Sequence, residues 1–145
     1  METIIEQKNL IDMKDNCVHF MFAYQQKNVE QMLSYCHHDA TIYFKAFGDQ
    51  GKGTISKFGK DIWLALIDSF PDISNTVDAI VSENDTIKCQ VLISGTQVKD
   101  FAGILNKNNH FDVDHIFIFR LNKNKKIEYI EVDWDHNELI RQLSI

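Results

Sequence analysis

The chain is short of several residues whose abundance would define a class. One proline and six glycines in 145 residues exclude a collagen-like repeat or a Pro/Gly-rich linker. The three cysteines, Cys17, Cys36 and Cys89, are odd in number and widely spaced. They make neither a disulfide framework nor a CxxC zinc pair, and they fit a reducing, cytoplasmic compartment. Positive charge is also short: 15 Lys/Arg against 21 Asp/Glu leave a net charge of −6. A phosphate backbone is bound by concentrated positive charge, so neither nucleic acid nor an anionic membrane surface is an expected partner. No apolar run approaches the roughly 20 residues that span a bilayer. The opening METIIEQKNLIDMKD mixes acids into its apolar residues and carries no signal core.

What is present is the composition of a folded domain, with 44% hydrophobic and 25% charged residues. A single domain over residues 1–145 is expected. The first third reads as helical. Thr3 and Glu6 have capping-box spacing. Leu10, Cys17, Met21 and Tyr24 then fall on one helical side, and Ile11, Val18 and Phe22 widen that stripe. Asn28 starts a second short helix carrying Val29, Met32, Leu33 and Cys36, which ends at His37-His38-Asp39. A strand follows from Ala40 to Phe44, and Gly48, Gly51 and Gly53 mark a loop. Thr54 caps a third helix with Ile55, Phe58, Ile62, Leu66 and Phe70 on its apolar face, and Pro71 ends it.

The second half is mostly strand: Val77–Val81, Thr86–Lys99, Asn109–Leu121 and Lys126–Asp135, separated by turn-rich pieces that include Glu83-Asn84-Asp85. A last helix runs from Asn137 to Leu143. Helices followed by an antiparallel meander predict an α+β domain, with the helices on one face of a curved sheet and a pocket between the layers.

The last hairpin concentrates the chemistry. Its odd positions carry His115, Phe117, Glu131, Asp133 and Asp135; its even positions carry Ile116, Ile118, Ile130, Val132 and Trp134. Side chains alternate faces along a strand, so loop length decides which sets meet. A three-residue loop, Lys123–Lys125, pairs Asn122 with Lys126 and sets His115 opposite Asp133. A four-residue loop sets His115 opposite Val132 and separates the groups. In the first register, crowded carboxylates beside a histidine raise at least one pKa towards neutrality, which suits proton exchange with a carbon acid or a leaving hydroxyl. The alternative is a solvated acidic face near a sheet edge.

Several segments in order resemble one family. They are Ser69-Phe70-Pro71-Asp72-Ile73, Gly95-Thr96-Gln97, Phe101-Ala102-Gly103, Ile118-Phe119-Arg120, Lys126-Ile127-Glu128, Asp135 and Leu139-Ile140-Arg141-Gln142-Leu143. Over roughly Asn28 to Leu143 the chain is similar to the SnoaL-like polyketide cyclases, within the nuclear transport factor 2-like superfamily of cone-shaped α+β proteins. The resemblance implies an aldol-type ring closure on a hydrophobic carbonyl compound, without metal or cofactor. It implies Asp135 as general acid/base; the hairpin residues add His115 and Asp133 as assisting polar groups. Gln97, Glu131, Phe117, Trp63 and Tyr43 are the candidate substrate-binding residues. Aligning the family also favours the loop that sets His115 opposite Asp133. This chain departs from the family pattern at Glu131, where tryptophan is usual, at Gln97 for histidine, at Phe117 for a polar residue and at Lys99 for glycine. Dehydratases and isomerases of the superfamily use a His–Asp pair, which His115 with Asp133 or Asp135 would also supply. A non-catalytic ligand-binding or dimerisation domain on the same scaffold is the third alternative.

Other residue clusters carry less. His37-His38-Asp39 and His110, Asp112, Asp114 and His115 are metal-ligand types without a recognised motif. The Gly48–Thr54 loop lacks phosphate-loop spacing. Cys17 on an apolar stripe reads as core and not as a nucleophile. If Ile116, Ile118, Ile130, Val132 and Trp134 point away from the pocket, they form an outer apolar face, and a homodimer through that face is expected.

Overall fold

The computed structural model describes residues 4–83 and 85–145, with only the backbone at Ile5 and Glu6. Thr3 and the Glu6 side chain of the expected capping box, and the turn residue Asn84, lie outside the described residues. The chain runs α1 (Ile4–Gln25), α2 (Val29–Ser34), β1 (Cys36–Phe44), β2 (Lys52–Thr54), α3 (Lys60–Ser69), β3 (Ser74–Glu83), β4 (Thr86–Thr96), β5 (His110–Leu121), β6 (Ile127–Trp134) and α4 (His136–Leu143). One six-stranded sheet has the order β2-β1-β6-β5-β4-β3, with the helices on one face. No helix among the described residues is long and apolar enough to cross a membrane.

Local signals explain most boundaries. Asn28 caps α2, its side chain accepting from the Gln31 N–H at 3.1 Å. Pro71 lies just past α3, where its missing N–H stops the helix. Three expectations are corrected. The second helix ends at Ser34 and β1 already begins at Cys36, so His37-His38-Asp39 belong to a strand. β1 pairs with β6 in parallel, so the sheet is not a pure meander. Ile11, Val18 and Phe22 are exposed on α1, at 58%, 41% and 62%, and do not widen its buried stripe.

That stripe is Cys17, Phe20, Met21 and Tyr24, all buried. Phe20 sets its ring edge-on to Trp63 of α3 and Phe119 of β5, with centroids 5.5 and 5.6 Å away. Such rings dominate a core of this size, each contributing roughly 1.5–3 kcal/mol on burial. Burial pushes the Cys36 and Cys89 thiols up to about 12 and the Cys17 thiol higher still. All three are free, and protonated thiols of this kind are packing groups, not nucleophiles.

The last hairpin decides the site. At the turn the three-residue loop is present: the Asn122 N–H donates to Lys126 O, and Leu121 pairs with Ile127. A β-bulge then intervenes, because Arg120 pairs with Tyr129 and Glu128 is the extra residue. From there the register is shifted by one. His115 lies opposite Trp134, and Asp133 lies opposite Ile116. The expectation that His115 faces Asp133 is therefore overturned. The physical reason is burial: the bulge lets Ile127, Ile130 and Val132 all enter the core, while Glu131 and Asp133 stay out of it. The outer apolar set is corrected with it, since Ile116 and Ile118 face outward but Ile130, Val132 and Trp134 face the helices.

Candidate functional site

Between the inner sheet face and the helices lies a cavity of about 40 Å³, walled by Phe44, Trp63, Phe70, Phe111, Phe117 and Trp134 among others. Tyr24 and His115 are the titratable groups in its lining. Burial raises the Tyr24 phenol, which stays protonated at neutral pH.

His115 reaches the cavity because β5 turns its odd positions inward. Its imidazole lies over the Trp134 indole, with centroids 5.1 Å apart and planes 23° from parallel. Its Nδ1 is 2.9 Å from Val113 O. A carbonyl only accepts, so Nδ1 carries the proton and Nε2 keeps the lone pair. Burial holds the pKa down at about 4, against opposing contributions from the Val113 carbonyl, Asp114 and Asp133. His115 is thus a neutral base at physiological pH. Among the described residues Nε2 has no hydrogen-bond partner.

The other expected site residues divide by place. Phe117 and Trp63 line the cavity with His115. Asp135 does not: it is exposed at the N-cap of α4, where its Oδ1 accepts from the Glu138 N–H at 3.0 Å. Asp133 is exposed on the outer face, 4.0 Å from the Lys45 ammonium. Glu131 is on the same face and accepts from the Tyr129 hydroxyl at 3.1 Å. Tyr43 is there too, with the Lys52 ammonium 4.8 Å above its ring. Gln97 is fully buried but does not line the cavity; its Nε2 donates to Ile104 O at 2.9 Å. It ties down the tight Phe101–Ile104 turn, and its Oε1 is without a partner among the described residues.

Two contributors were missed. Trp134 stacks on His115, and its Nε1–H donates to His136 Nδ1 at 3.1 Å. Phe47 packs edge-to-face with Trp134 and with His136, at 5.3 and 5.7 Å. The apolar alternation Ile130-Val132-Trp134 was the available signal for the first; nothing in the sequence pointed to the second. A bulge in β1 between Cys36 and Thr41 also brings His37, His38 and Asp39 together, with possible ligand atoms within 4.8 Å of one another. They lie outside the cavity, and His38 and Asp39 are exposed.

Residues 16–143 match the family of SnoaL-like polyketide cyclases. The chain belongs to that family. Its fold is the nuclear transport factor 2-like α+β fold, and solved structures agree. TsrD from Streptomyces laurentii superposes with a TM-score of 0.78 at 22% identity, over 92% of this chain and 95% of that one. Wild-type IdmH from Streptomyces antibioticus gives 0.77 at 19% identity, over 92% and 99%. SalBIII, an epoxide hydrolase/cyclase-like enzyme of pyran ring formation in the polyether salinomycin, gives 0.71 at 14% identity, over 92% and 95%. At these identities the likeness establishes the fold and not the reaction. No curated protein matches the chain.

Proposed function

We propose that this SnoaL-like chain is an acid/base catalyst of the cyclase type, acting on a hydrophobic, enolisable carbonyl compound with His115 as the proton acceptor. The observation that carries this reading is a neutral imidazole in the lining of an aromatic-walled cavity, its Nε2 without a hydrogen-bond partner among the described residues. Burial disfavours the imidazolium, so His115 borrows a proton and does not keep it. The enol O–H gives its proton to Nε2 as the enol carbon attacks a second carbonyl of the same molecule. A carbon–carbon bond forms, the attacked carbonyl becomes an alkoxide, and the imidazolium returns the proton to it. No co-reactant is consumed.

Asp135 is the acid/base that the resemblance implies, but here its carboxylate is engaged by α4. This engagement supports a second reading, a non-catalytic domain that binds the same class of molecule. A His–Asp dehydratase is less favoured, because Asp133 lies across the sheet from the cavity.

Hydrogen–deuterium exchange at the activated carbon of benzoylacetone, followed by NMR in deuterium oxide, separates the two readings. The enzyme reading expects acceleration by the wild type and its loss in His115→Phe. Binding of benzoylacetone without acceleration establishes the binding domain instead.

The proposal extends to assembly in a reducing cytoplasm. Half-buried Ile116 and Ile118, with Val81 at 47% exposure, lie on the outer sheet face. A second copy packed there forms a homodimer. Light scattering at micromolar concentration should give twice the chain mass; a monomer overturns it.

A further inference from the structure

The cavity has a neighbour. An open groove of about 640 Å³ runs along α3 and the loop after β4, and Phe47, Ile62 and Phe101 line both spaces. These three side chains are the partition between them. On the groove side the wall turns polar, with Asp68, Ser69, Lys99 and Asp100.

The partition differs in stiffness along its length. Ile62 is held by α3. Phe101 is buried and closes the tight Phe101–Ile104 turn through two backbone hydrogen bonds of 3.0 and 2.8 Å. Phe47 is only half-buried and lies on the irregular segment 45–51 between β1 and β2. The next residue, Gly48, has φ 64° and ψ −147°, a conformation that is comfortable only for glycine. A Cβ at Gly48 would meet nothing within 4 Å, so the segment faces open space there. Gly51 closes the segment against the Phe44 carbonyl, where a Cβ would lie 2.1 Å from the oxygen. The segment is thus packed tightly at Gly51 and open at Gly48, next to Phe47, whose ring packs against Phe44, Trp134 and His136.

About 40 Å³ is too little for a drug-sized molecule, whose pockets run to roughly 300–1,000 Å³. Cavity and groove together are large enough. We infer that they are two compartments of one ligand site, with Phe47 as the moving partition, and that the ligand has a flat apolar head for the cavity as enlarged by displacement of Phe47 and a neutral, oxygen-bearing tail for the groove. The inference rests on the cavity being the ligand site, as proposed above.

The tail is neutral for an electrostatic reason. Lys99 donates to both carboxylate oxygens of Asp68, at 3.0 and 2.9 Å. Asp100 adds a second negative charge to the wall, its Oδ1 accepting from the Asn106 N–H at 2.7 Å. Two acids against one base disfavour a carboxylate tail. An ammonium has three N–H donors, so the third N–H of Lys99 is available to a hydroxyl, ether or carbonyl oxygen.

The test uses three probes that share a head: naphthol, naphthyloxyethanol and naphthyloxyacetate. Affinity is measured by calorimetry and association rate by stopped-flow fluorescence, on the wild type, Phe47→Ala and Lys99→Met. Wild type should bind naphthyloxyethanol at least about 5-fold more tightly than naphthyloxyacetate, on the scale of one hydrogen bond plus charge repulsion. Lys99→Met should remove the advantage of naphthyloxyethanol over naphthol and leave naphthol unchanged. Phe47→Ala should speed association of all three probes by about 10-fold or more. Equal affinities for the two tailed probes overturn the two-compartment site, as does an unchanged association rate in Phe47→Ala. If no probe binds either the wild type or Phe47→Ala, the cavity is not the ligand site and both readings fall. If the probes bind as expected but benzoylacetone exchange is not accelerated, the catalytic reading alone falls.

Discussion

His115 lies over Trp134 and not opposite Asp133: its ring is 5.1 Å from the indole centroid, and the carboxylate it was expected to meet opens to the other side of the sheet. A one-residue bulge at Glu128 makes the difference. The result is a histidine whose environment is aromatic and not acidic, and its titration follows from that.

Burial lowers the His115 pKa from 6.5 to about 4. Above pH 6.5 folded and unfolded chains both carry it neutral, and below about 4 both carry it protonated. Between these limits only the unfolded chain takes up the proton, so stability falls as the pH drops from 6.5 towards 4. The difference is roughly 3 kcal/mol across that window. Carboxylates held low in the folded state, such as Asp12 through Lys125, lose their contribution at lower pH still. Urea unfolding of the wild type and His115→Phe at pH 7.5 and 4.5 checks the point. The variant should lose most of the drop; a drop of equal size in both would assign it to other groups.

Asp135 caps α4, and one pair of substitutions separates that cap from the proton-carrying role the resemblance implies. As N-cap of α4 it accepts the Glu138 N–H, and removing the cap with Asp135→Ala should cost about 1 kcal/mol. Asparagine caps equally well, so Asp135→Asn should unfold with the wild type. If Asp135→Asn also leaves benzoylacetone exchange unchanged, Asp135 is a structural cap and not a proton carrier.

The bulge itself is open to deletion analysis. Removing Glu128 joins Ile127 to Tyr129 and leaves a regular strand, in which Ile130, Val132 and Trp134 still face inward. Among the described residues its side chain makes a surface ion pair, 3.4 Å from Arg120, worth at most about 1 kcal/mol. Deletion of Glu128 should therefore preserve a cooperative thermal transition. Deletion of Val132 turns Asp133 inward and should abolish that transition, because burying an unpaired carboxylate costs several kcal/mol. Failure of the Glu128 deletion to fold would show that the bulge is needed beyond keeping the inward set.

Much of this fold was legible in the residues. Asn28 and Pro71 mark helix boundaries by local chemistry, and β3 to β6 follow from runs of β-branched and aromatic residues between turns. The site was less legible, because its geometry turns on single extra residues. Glu128 looks like any strand residue, yet it inverts the face of everything after it. The β1 bulge between Cys36 and Thr41 is equally silent. The parallel β1–β6 pairing depends on where distant strands dock. Asp135 and Glu138 have the spacing of a helix start, and Asp135 does cap α4. The apolar run Ile130-Val132-Trp134 held the correct register, since three large apolar side chains are buried at greater gain than three carboxylates.

The turn that carries Phe101 stores strain that can be released. Ala102 and Gly103 have φ of 49° and 79°, and Phe101 and Ile104 exchange both backbone hydrogen bonds across them. This is a two-residue hairpin with both central residues left-handed, the geometry that favours Asn-Gly. Alanine pays roughly 1 kcal/mol for that conformation, and asparagine tolerates it. Ala102 is exposed, so its methyl contributes little packing. Ala102→Asn should stabilise the chain by roughly 0.5–1 kcal/mol, a rise of about 2–4 °C in Tm at most for a chain of this length. Ala102→Gly relieves the same strain but adds freedom to the unfolded chain, so its gain should be smaller. Ala102→Val, whose branched side chain resists positive φ, should destabilise. The order Asn above Gly above Ala above Val in a thermal melt is the expected outcome. A melt in which Val exceeds Asn would show that the turn relaxes away from left-handed geometry in solution, and that Phe101 is not held as firmly as Gln97 and the two backbone bonds imply.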